Sequence, residues 1–395
     1  MGAPYRCSDA RSAALTRAQV LIVSFSTIES DARVLKQVAR LSRDMDVHTV
    51  GYGKTPPGAI SHVRIPDDLP IWRYDRAAVL MRRFRKAYWS NRAIAFAADA
   101  LDGTRWDAVL ANDADAVGLA LAQNPAHGVH ADLHEYAPRQ KEDVRRWRLF
   151  VAPFVRWMCR EFVVRADSVS TVGQGIADEY RREYGIKPSV VTNAAPYAEL
   201  TPTSVTAPIR LVHSGAALRD RNILAILEAV DASRADVTLD LYLTPNDPGF
   251  LEQVRERAAR SSRISLHDPV PYRRLSEVLN AYDVGIHVLP PVNFNNRWAL
   301  PNKFFDYVQA RLGLVIGPSP EMARVLDEYG FGVVSDGFSE GHLVAALDRL
   351  TTEEVEAWKR ASDAASAELS GERQSEKWAD AIRDLLRVPV RRGTA

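Results

Sequence analysis

The chain has 395 residues, of which 46% are hydrophobic and 26% charged, and its formal net charge at pH 7 is +1. This length exceeds one ordinary core, so two domains of about 150–200 residues are expected. The near-zero charge gives no argument for a nucleic-acid partner, and we expect none. Two cysteines, Cys7 and Cys159, fit a reducing compartment and are too few for a cysteine-based metal cluster. With neither a signal peptide nor an apolar run of about 18 residues, we expect a cytoplasmic globular protein.

The first half of the chain alternates strand and helix patterns. Residues 20–25 are continuously apolar, as expected for a strand buried on both faces, and residues 31–41 repeat apolar side chains at helical spacing. The further strands predicted in this half lie at residues 46–52, 107–111, 128–133, 166–172 and 188–193. Repeated strand–helix–strand units predict an α/β domain with a doubly wound parallel sheet over residues 1–200.

The second half repeats this pattern after a linker. Residues 194–208 are rich in Pro, Thr and Ala with little periodicity, which is typical of a linker. The strands predicted after it lie at residues 209–214, 237–243, 264–266, 284–289, 314–316 and 332–334. A second doubly wound domain is therefore expected over residues 201–372. A charged helix is predicted over residues 370–386, and residues 388–395 are expected to be frayed.

The start of one predicted helix, at residues 300–303 (LPNK), indicates an anion site. Pro301 can begin a helix without losing a hydrogen bond. Lys303 then lies in the first turn, where the helix dipole disfavours a cation. In a parallel sheet, helices begin outside the carboxyl ends of the strands, where ligands bind. A phosphate beside Lys303 would resolve the electrostatic conflict.

Residues 282–286 (YDVGI), 300–307 (LPNKFFDY) and 320–322 (PEM) resemble the donor half of retaining, nucleotide-sugar-dependent glycosyltransferases of the GT-B fold, family 4-like. The resemblance covers most of the chain. It implies two Rossmann-like domains facing a cleft, the first for the acceptor and the second for the nucleotide sugar. It also implies that the segment 373–395 carries a helix that crosses back to the first domain.

The resemblance implies a diphosphate site at the turn after residues 209–214. Gly215 allows close backbone approach, and Arg221 is the closest match to the basic residue that meets the diphosphate in the family. Arg219 is the alternative candidate for the residue that meets the diphosphate. The alternative is that both arginines are surface residues bonded to Asp220 or Glu228.

Further donor-binding residues follow from the same resemblance. Asn302 and Lys303 lie in the matching helix start, and Val270 and Pro271 match a turn that lies against the nucleobase in the family. In that turn, residues 268–269 (DP) replace the usual glycine, so the resemblance does not identify which nucleobase binds.

The family's E-x7-E pattern places two carboxylates eight residues apart. The matching positions here are Trp298 and Asp306. Asp306 can accept hydrogen bonds from the ribose hydroxyls. The first carboxylate is absent, which leaves open any role that the family gives it with the donor sugar.

Two residues of the first domain are candidate catalytic residues. His134 lies in the segment 132–136 (DLHEY) at a strand end, and the matching histidine of the family is expected to contact the transferred sugar or the acceptor. Asp31 matches a helix start that reaches the cleft. The loop before it lacks the glycines of a dinucleotide site, which argues against an NAD enzyme. The alternatives are a structural His134, and an Asp31 that caps its helix while Arg33 lies on the solvated face.

The pair Asp113 and Asp115 matches the D-x-D motif with which another glycosyltransferase fold binds a metal. Three residues alone are unspecific, so we interpret the pair as a helix start, with Asp113 near the cleft, and expect neither a metal nor a cofactor.

Residues 81–89 and 145–157 mix cations with aromatic side chains, as helices on anionic lipid do. The alternative is an ordinary helix whose Arg stems cover the core. The lipid interpretation implies peripheral membrane contact on the inner face through the N-terminal domain.

The sequence therefore favours a metal-independent glycosyltransferase that moves a sugar from a nucleotide sugar to a hydroxyl, with retention. The acceptor is a glycan, a lipid-linked molecule or a small molecule, in glycan, glycolipid or natural-product biosynthesis. The high Arg and Ala content suggests a bacterial source. Two alternatives stay open: a sugar-nucleotide epimerase of the same fold, and a non-catalytic scaffold.

Overall fold

A computed structural model describes residues 17–389. Cys7 and the tail at residues 390–395 lie outside the described residues. Within them, the strands form two sheets whose neighbouring strands all run parallel. The prediction of an α/β protein with two doubly wound sheets is confirmed, because each sheet is interleaved with helices.

The first sheet has the order β3-β2-β1-β4-β5-β6-β7. Its strands are β1 (Gln19–Thr27), β2 (Asp46–Tyr52), β3 (Ser61–Arg64), β4 (Ala108–Asn112), β5 (Gly128–Leu133), β6 (Ser168–Thr171) and β7 (Ser189–Val190). Its helices are α1 (Ala32–Leu41), α2 (Arg76–Leu80), α3 (Phe84–Trp89), α4 (Arg92–Ala100), α5 (Asp113–Ala122), α6 (Ala152–Glu161) and α7 (Gln174–Tyr184). A π-helical turn (Trp147–Val151) precedes α6.

The second sheet has the order β10-β9-β8-β11-β12-β13. Its strands are β8 (Ile209–Ala216), β9 (Val237–Thr244), β10 (Ile264–His267), β11 (Val284–His287), β12 (Gly313–Ile316) and β13 (Gly332–Val334). Its helices are α8 (Ile223–Ala232), α9 (Pro248–Ala258), α10 (Tyr272–Leu279), α11 (Phe294–Arg297), α12 (Asn302–Gln309), α13 (Pro320–Tyr329), α14 (Glu340–Leu347) and α15 (Thr352–Ala365). The last helix, α16 (Gly371–Arg387), follows α15.

In both sheets, the order in which successive strands are added reverses beside the first strand, β1 or β8. In the first sheet, Ile22 of β1 lies between Thr49 of β2 and Leu110 of β4. In the second, Leu211 of β8 lies between Leu239 and Val284. In such sheets, the crevice that binds ligands opens outside the carboxyl ends of the strands at the reversal. The fold therefore places candidate sites after β1 and β4 and after β8 and β11.

The last helix, α16, packs against α1 of the first sheet. Its buried Ala379, Ile382 and Leu385 join the apolar cluster that contains Val20 and Val34. On the rim of this contact, Arg40 Nη2 donates to Glu376 Oε1 at 2.7 Å. The end of the described chain thus completes the core of the first sheet. The predicted linker, residues 194–208, contains neither helix nor strand.

Candidate functional site

Lys303 lies in the first turn of α12, beside the carboxyl end of β8. Its Nζ is 3.4 Å from Nε2 of His213, and the side chain is half-buried. Burial lowers the pKa of Lys303 to about 7, and the charge of Arg221 adds to this effect. Gly215, with a φ of +126°, faces the ammonium, because an ideal Cβ there would lie 2.8 Å from Lys303 Nζ. A cation in this position favours an anionic ligand.

The two arginines of the β8–α8 turn point to different neighbours. Arg219 lies with Nε 3.6 Å from Asp247 Oδ2, and its Nη1 donates to Gln253 Oε1 at 3.1 Å. Within residues 17–389, the ion pair of Arg221 is distant, with Nε 3.7 Å from Asp220 Oδ1, and the charge of Arg221 acts on Lys303. The structure therefore brings Arg221 together with Lys303, while Arg219 lies toward α9.

Asp306 is a buried carboxylate, 5% exposed, one turn after Lys303. Burial raises its pKa to about 7, against the hydrogen bond from Tyr272 and the charges of Lys303 and Lys36. The Tyr272 hydroxyl donates to Asp306 Oδ1 at 3.3 Å. Lys36 comes from α1 of the first sheet, so Asp306 lies where the two halves of the chain meet.

Sequence analysis missed Tyr272, although a proline just before it, at the start of a helix, marks the position. Val270 and Pro271 immediately precede it, half-buried and exposed respectively. The predicted base-binding turn therefore lies next in sequence to a residue that contacts Asp306. Asn302 is exposed at the first position of α12. The donor roles of these residues stay predictions.

His134 follows β5, with both ring nitrogens facing oxygen acceptors. Nδ1 lies 3.4 Å from Asp113 Oδ2, and Nε2 lies 3.2 Å from Asn112 Oδ1 and 3.5 Å from Asp132 Oδ2. Burial disfavours the charged ring, but Asp113 and Asp132 outweigh it and raise the pKa of His134. This arrangement favours the imidazolium, which donates hydrogen bonds rather than accepting a proton.

Asp113 has a backbone φ of 65°, in the left-handed region that side chains rarely adopt. Besides its contact with the His134 ring, its Oδ1 accepts from His134 N at 3.0 Å. Strained residues of this kind cluster at functional sites. Asp115 instead accepts from the Tyr74 hydroxyl, so the two carboxylates of the D-x-D pair serve different partners. Residues 17–389 hold no group of three or more His, Cys, Asp or Glu side chains suited to a metal.

Asp31 and Arg33 take different positions at the start of α1. Asp31 caps the helix, with Oδ1 accepting from the backbone N–H groups of Arg33 and Val34. The alternative of a solvated Arg33 is wrong, because its side chain is 2% exposed and pairs with Asp132. Its guanidinium also lies 4.6 Å from the ring centroid of Trp378 in α16. The catalytic role of Asp31 stays a prediction, with its carboxylate engaged as a cap.

The short helix α11 belongs to the second half of the chain but packs into the core of the first sheet. Phe294 lies against Tyr136, with ring centroids 5.1 Å apart, and under the guanidinium of Arg139. Its backbone N–H donates to Glu142 Oε1 at 2.7 Å, and Tyr136 N donates to Asn295 Oδ1 at 2.9 Å. The segment between β11 and α12 thus links the two halves.

Trp298, which the resemblance matches to the first carboxylate of the E-x7-E pattern, extends this contact. An ideal Cβ at Gly175 would lie 2.0 Å from Trp298 Cε3, so the indole lies directly on the start of α7. Beside it, Gly175 N donates to Glu321 Oε2 at 2.8 Å, from the first turn of α13. This position therefore serves packing between the two halves.

A cavity of about 230 Å³ lies at the carboxyl ends of β11 and β12. Its lining includes Leu289, Arg297, Ser319, Pro320 and Phe338. It opens beside the start of α13, where the side chain of the N-cap residue Ser319 forms no capping hydrogen bond.

No protein-family model and no curated protein matches the sequence. Solved structures match over nearly the whole chain. A glycosyltransferase from Rickettsia africae ESF-5 is 11% identical, with a TM-score of 0.67 over 94% of this chain and 99% of that one. A sucrose-phosphate synthase from Thermosynechococcus elongatus is 11% identical, with a TM-score of 0.68 over 93% and 99%. HepE from Anabaena, in complex with UDP and glucose, is 13% identical, with a TM-score of 0.65 over 93% and 100%.

The chain has the GT-B fold. The GT-B fold accounts for the two Rossmann-like sheets. At these identities the likeness shows the fold, so activity has to be argued from the site. No helix among residues 17–389 is long and apolar enough to cross a membrane.

Proposed function

We propose that this GT-B protein is a glycosyltransferase that moves a sugar from a nucleotide-sugar donor to an acceptor hydroxyl. The observation that carries the proposal is the half-buried Lys303, which forms no salt bridge with a carboxylate within residues 17–389. It faces a histidine, a bare glycine backbone and a second cation, Arg221. A diphosphate would supply the missing negative charge. The complex of the structural neighbour HepE with UDP and glucose supports this choice.

The same groups suit the transition state of sugar transfer. As the bond between the sugar and the diphosphate breaks, negative charge develops on the leaving oxygen, and Lys303 and Arg221 stabilise it. Because these cations can serve that role, the proposal includes no metal and no cofactor. Asp306 would accept hydrogen bonds from the ribose hydroxyls. The cavity beside α13 would take the sugar.

His134 enters the proposal as a positive charge at the reacting centre. Both of its ring nitrogens face oxygens of Asp113, Asn112 and Asp132, so no lone pair is free to take the acceptor proton. A leaving phosphate oxygen would then take that proton, on the face of the sugar that the diphosphate leaves. Transfer on one face retains the anomeric configuration, as the family 4-like resemblance implies. No side chain is assigned as nucleophile.

A surface of the N-terminal domain supports a membrane-linked acceptor. We define the apolar–basic surface as the exposed apolar side chains of α2, of its C-cap residue Met81 and of the π-helical turn, with the arginines around them. Its apolar members are Leu80, Met81, Leu149 and Phe150, each 48–64% exposed. The two segments are about 70 residues apart in sequence, and α2 packs against the π-helical turn, so they form one surface.

The charge around these side chains indicates an anionic partner. Arg82, Arg83 and Arg146 are exposed, and none forms an ion pair with an acidic residue inside the described range. Apolar side chains among free arginines suit the headgroup region of anionic lipid. We therefore propose peripheral attachment to the cytoplasmic face of a membrane and a lipid-linked acceptor, with glycans and small molecules as the other acceptor classes to test.

Two measurements test the proposed activity. The protein should bind one nucleoside diphosphate, and Lys303→Met should weaken that binding about 100-fold. With the matching nucleotide sugar and a mixture of acceptors, nucleotide release should depend on the acceptor. Epimerisation without an acceptor would favour the epimerase. A scaffold would account for Trp298 in place of a carboxylate, and the absence of any nucleotide binding would favour it.

A further inference from the structure

We propose that His213 is a positioning residue for Lys303, whose ammonium it holds by a hydrogen bond at Nε2 and directs toward the diphosphate of the donor. The inference rests on the proposed function and adds to it a residue of β8 that would not itself touch the substrate. Its evidence is the hydrogen-bond geometry of His213, which contacts Lys303, compared with that of the neighbouring His287.

The hydrogen bonds of His213 fix which ring nitrogen carries the proton. Nδ1 lies 2.8 Å from the backbone oxygen of Ile286 on the neighbouring strand β11. A carbonyl oxygen can only accept, so Nδ1 must donate, and in the neutral ring Nε2 is left with a lone pair. That lone pair faces Lys303 Nζ at 3.4 Å. The pair is therefore oriented with Lys303 as donor and His213 as acceptor.

His213 stays neutral, which the acceptor role requires. The side chain is completely buried. Burial disfavours the charged ring and, together with the charge of Lys303, holds the pKa of His213 well below its usual range. Protonation would remove the acceptor and place two cations in contact, so the neutral ring is the form that suits Lys303.

The pleat of β8 places a second residue, Gly215, beside the Lys303 ammonium. His213 and Gly215 are two residues apart on this strand, so they face the same side of the sheet. Gly215 leaves room for Lys303 Nζ where any Cβ would be 2.8 Å away. With one of its three N–H bonds directed at His213, the ammonium keeps two for an anion.

His287 provides a matched control in the same core. It lies on β11, its ring centroid is 6.0 Å from that of His213, and it is 1% exposed. Neither of its ring nitrogens has a hydrogen-bond partner in the structure. Replacing His287 thus removes a buried imidazole of the same kind without removing an acceptor from Lys303.

The test compares His213→Leu, His213→Gln and His287→Leu with the wild type. Binding of UDP, GDP, ADP and TDP is titrated from pH 6 to pH 9, and the tightest ligand is followed. His213→Leu should weaken binding about tenfold at pH 7.5, the typical loss of one hydrogen bond to a charged group. His213→Gln, which offers an amide oxygen, should recover most of it, and His287→Leu should stay within about twofold of the wild type.

The pH profile separates positioning from a structural role. Without its acceptor, the Lys303 ammonium is less stable relative to the neutral amine, so its pKa falls. The pH above which diphosphate affinity declines should therefore be lower in His213→Leu than in the wild type. In a Lys303→Met background, His213→Leu should have no further effect on binding. An equal loss in both backgrounds, or an unchanged pH profile, would overturn the inference.

A measurement on the folded wild type covers the case in which His213→Leu does not fold. With 15N-labelled histidine, the His213 signals should show the Nδ1–H tautomer, and the Nε2 signal should shift in Lys303→Met. A protonated ring or the Nε2–H tautomer contradicts the inference. If the wild type binds no nucleoside diphosphate, the proposed function fails as well. If the wild type binds normally and the His213 variants bind equally well, only this inference fails.

Discussion

The guanidinium of Arg33 and the carboxylate of Asp132 form a two-point ion pair, with Nε–Oδ2 and Nη2–Oδ1 distances of 2.7 Å. The side chains are 2% and 0% exposed. Gln37 and Ser170 donate to the same carboxylate, and His134 Nε2 lies 3.5 Å from it. The pair joins α1 to the end of β5 and so fixes an acceptor beside His134.

Breaking this pair should destabilise the protein strongly. Arg33→Met leaves the Asp132 charge buried without its cation, so we expect a loss of about 3–5 kcal/mol in the free energy of unfolding. Urea unfolding measures it. Arg387→Ala is the control, because its ion pair with Asp384 is 77% and 70% exposed and should contribute less than about 1 kcal/mol. Equal, small losses in the two variants would contradict the account of the pair.

The same pair predicts how stability changes in acid. Burial alone would raise the pKa of Asp132, but the charges and hydrogen bonds of Arg33 and His134 together outweigh it and hold that pKa well below its usual range. A depressed pKa contributes stability that is full above the unfolded value of about 3.9 and is lost as the pH falls through the folded value. Asp132→Asn should therefore be less stable than the wild type at neutral pH, with the difference shrinking below about pH 4.

Activity should require a protonated His134. Since Asp113 and Asp132 raise its pKa against the effect of burial, the imidazolium persists above the usual value of about 6.5. We expect kcat to decline as the pH rises through the His134 pKa, and Asp113→Asn to move this decline to lower pH. His134→Ala should lower kcat about 100-fold, the loss typical of removing one group that stabilises charge in the transition state. Unchanged kcat profiles in these variants would show that His134 has another role.

The contact between Gly175 and Trp298 should be intolerant of a methyl group. Gly175→Ala places a Cβ inside the indole ring, so we expect a loss of about 1–3 kcal/mol from overpacking. Trp298→Ala should remove most of that penalty when the two changes are combined. Gly341→Ala in α14 is the control, because its Cβ would meet nothing within 4 Å. Denaturant unfolding of the four variants distinguishes this contact from a general sensitivity to glycine replacement.

The apolar–basic surface should bind anionic vesicles. Leu149→Asp with Phe150→Asp places two carboxylates where apolar side chains would enter the headgroup region, so binding should fall several-fold. Co-sedimentation with vesicles of phosphatidylglycerol and phosphatidylcholine measures it. Ile60→Asp alters a 61% exposed side chain outside this surface and should bind as the wild type does. Equal binding by all three proteins would place membrane contact elsewhere or remove it.

The sequence predicted several strands with the bounds that the structure shows. Residues 46–52, 128–133 and 332–334 are strands with the predicted bounds. β3 was missed because its residues, Ser61–Arg64, lie at the edge of the sheet and are half-buried or exposed, which leaves no apolar pattern. Local patterns therefore reveal a strand only where burial has shaped its composition.

The site was predicted less completely, because its geometry joins residues far apart in the chain. The Pro301 helix start marked Lys303, but its neighbour His213 is 90 residues earlier and carried no local signal. The charge of Arg33 suggested a solvated side chain. Its partner, Asp132, is 99 residues away in sequence, so no local pattern indicated the ion pair. The missing carboxylate at Trp298 was visible, whereas its packing on Gly175 was not. Pairings across the fold cannot be deduced from one sequence.

The most direct test of the central claim is thermal stabilisation of the protein by UDP, GDP, ADP and TDP, each with and without EDTA. A ligand at 100 times its Kd stabilises by about 2.7 kcal/mol, so binding at Lys303 gives a clear rise in melting temperature. We predict that one nucleotide raises the melting temperature of the wild type equally with and without EDTA, and that Lys303→Met removes this rise. No rise with any nucleotide, or a rise that Lys303→Met keeps in full, would contradict a diphosphate site at Lys303.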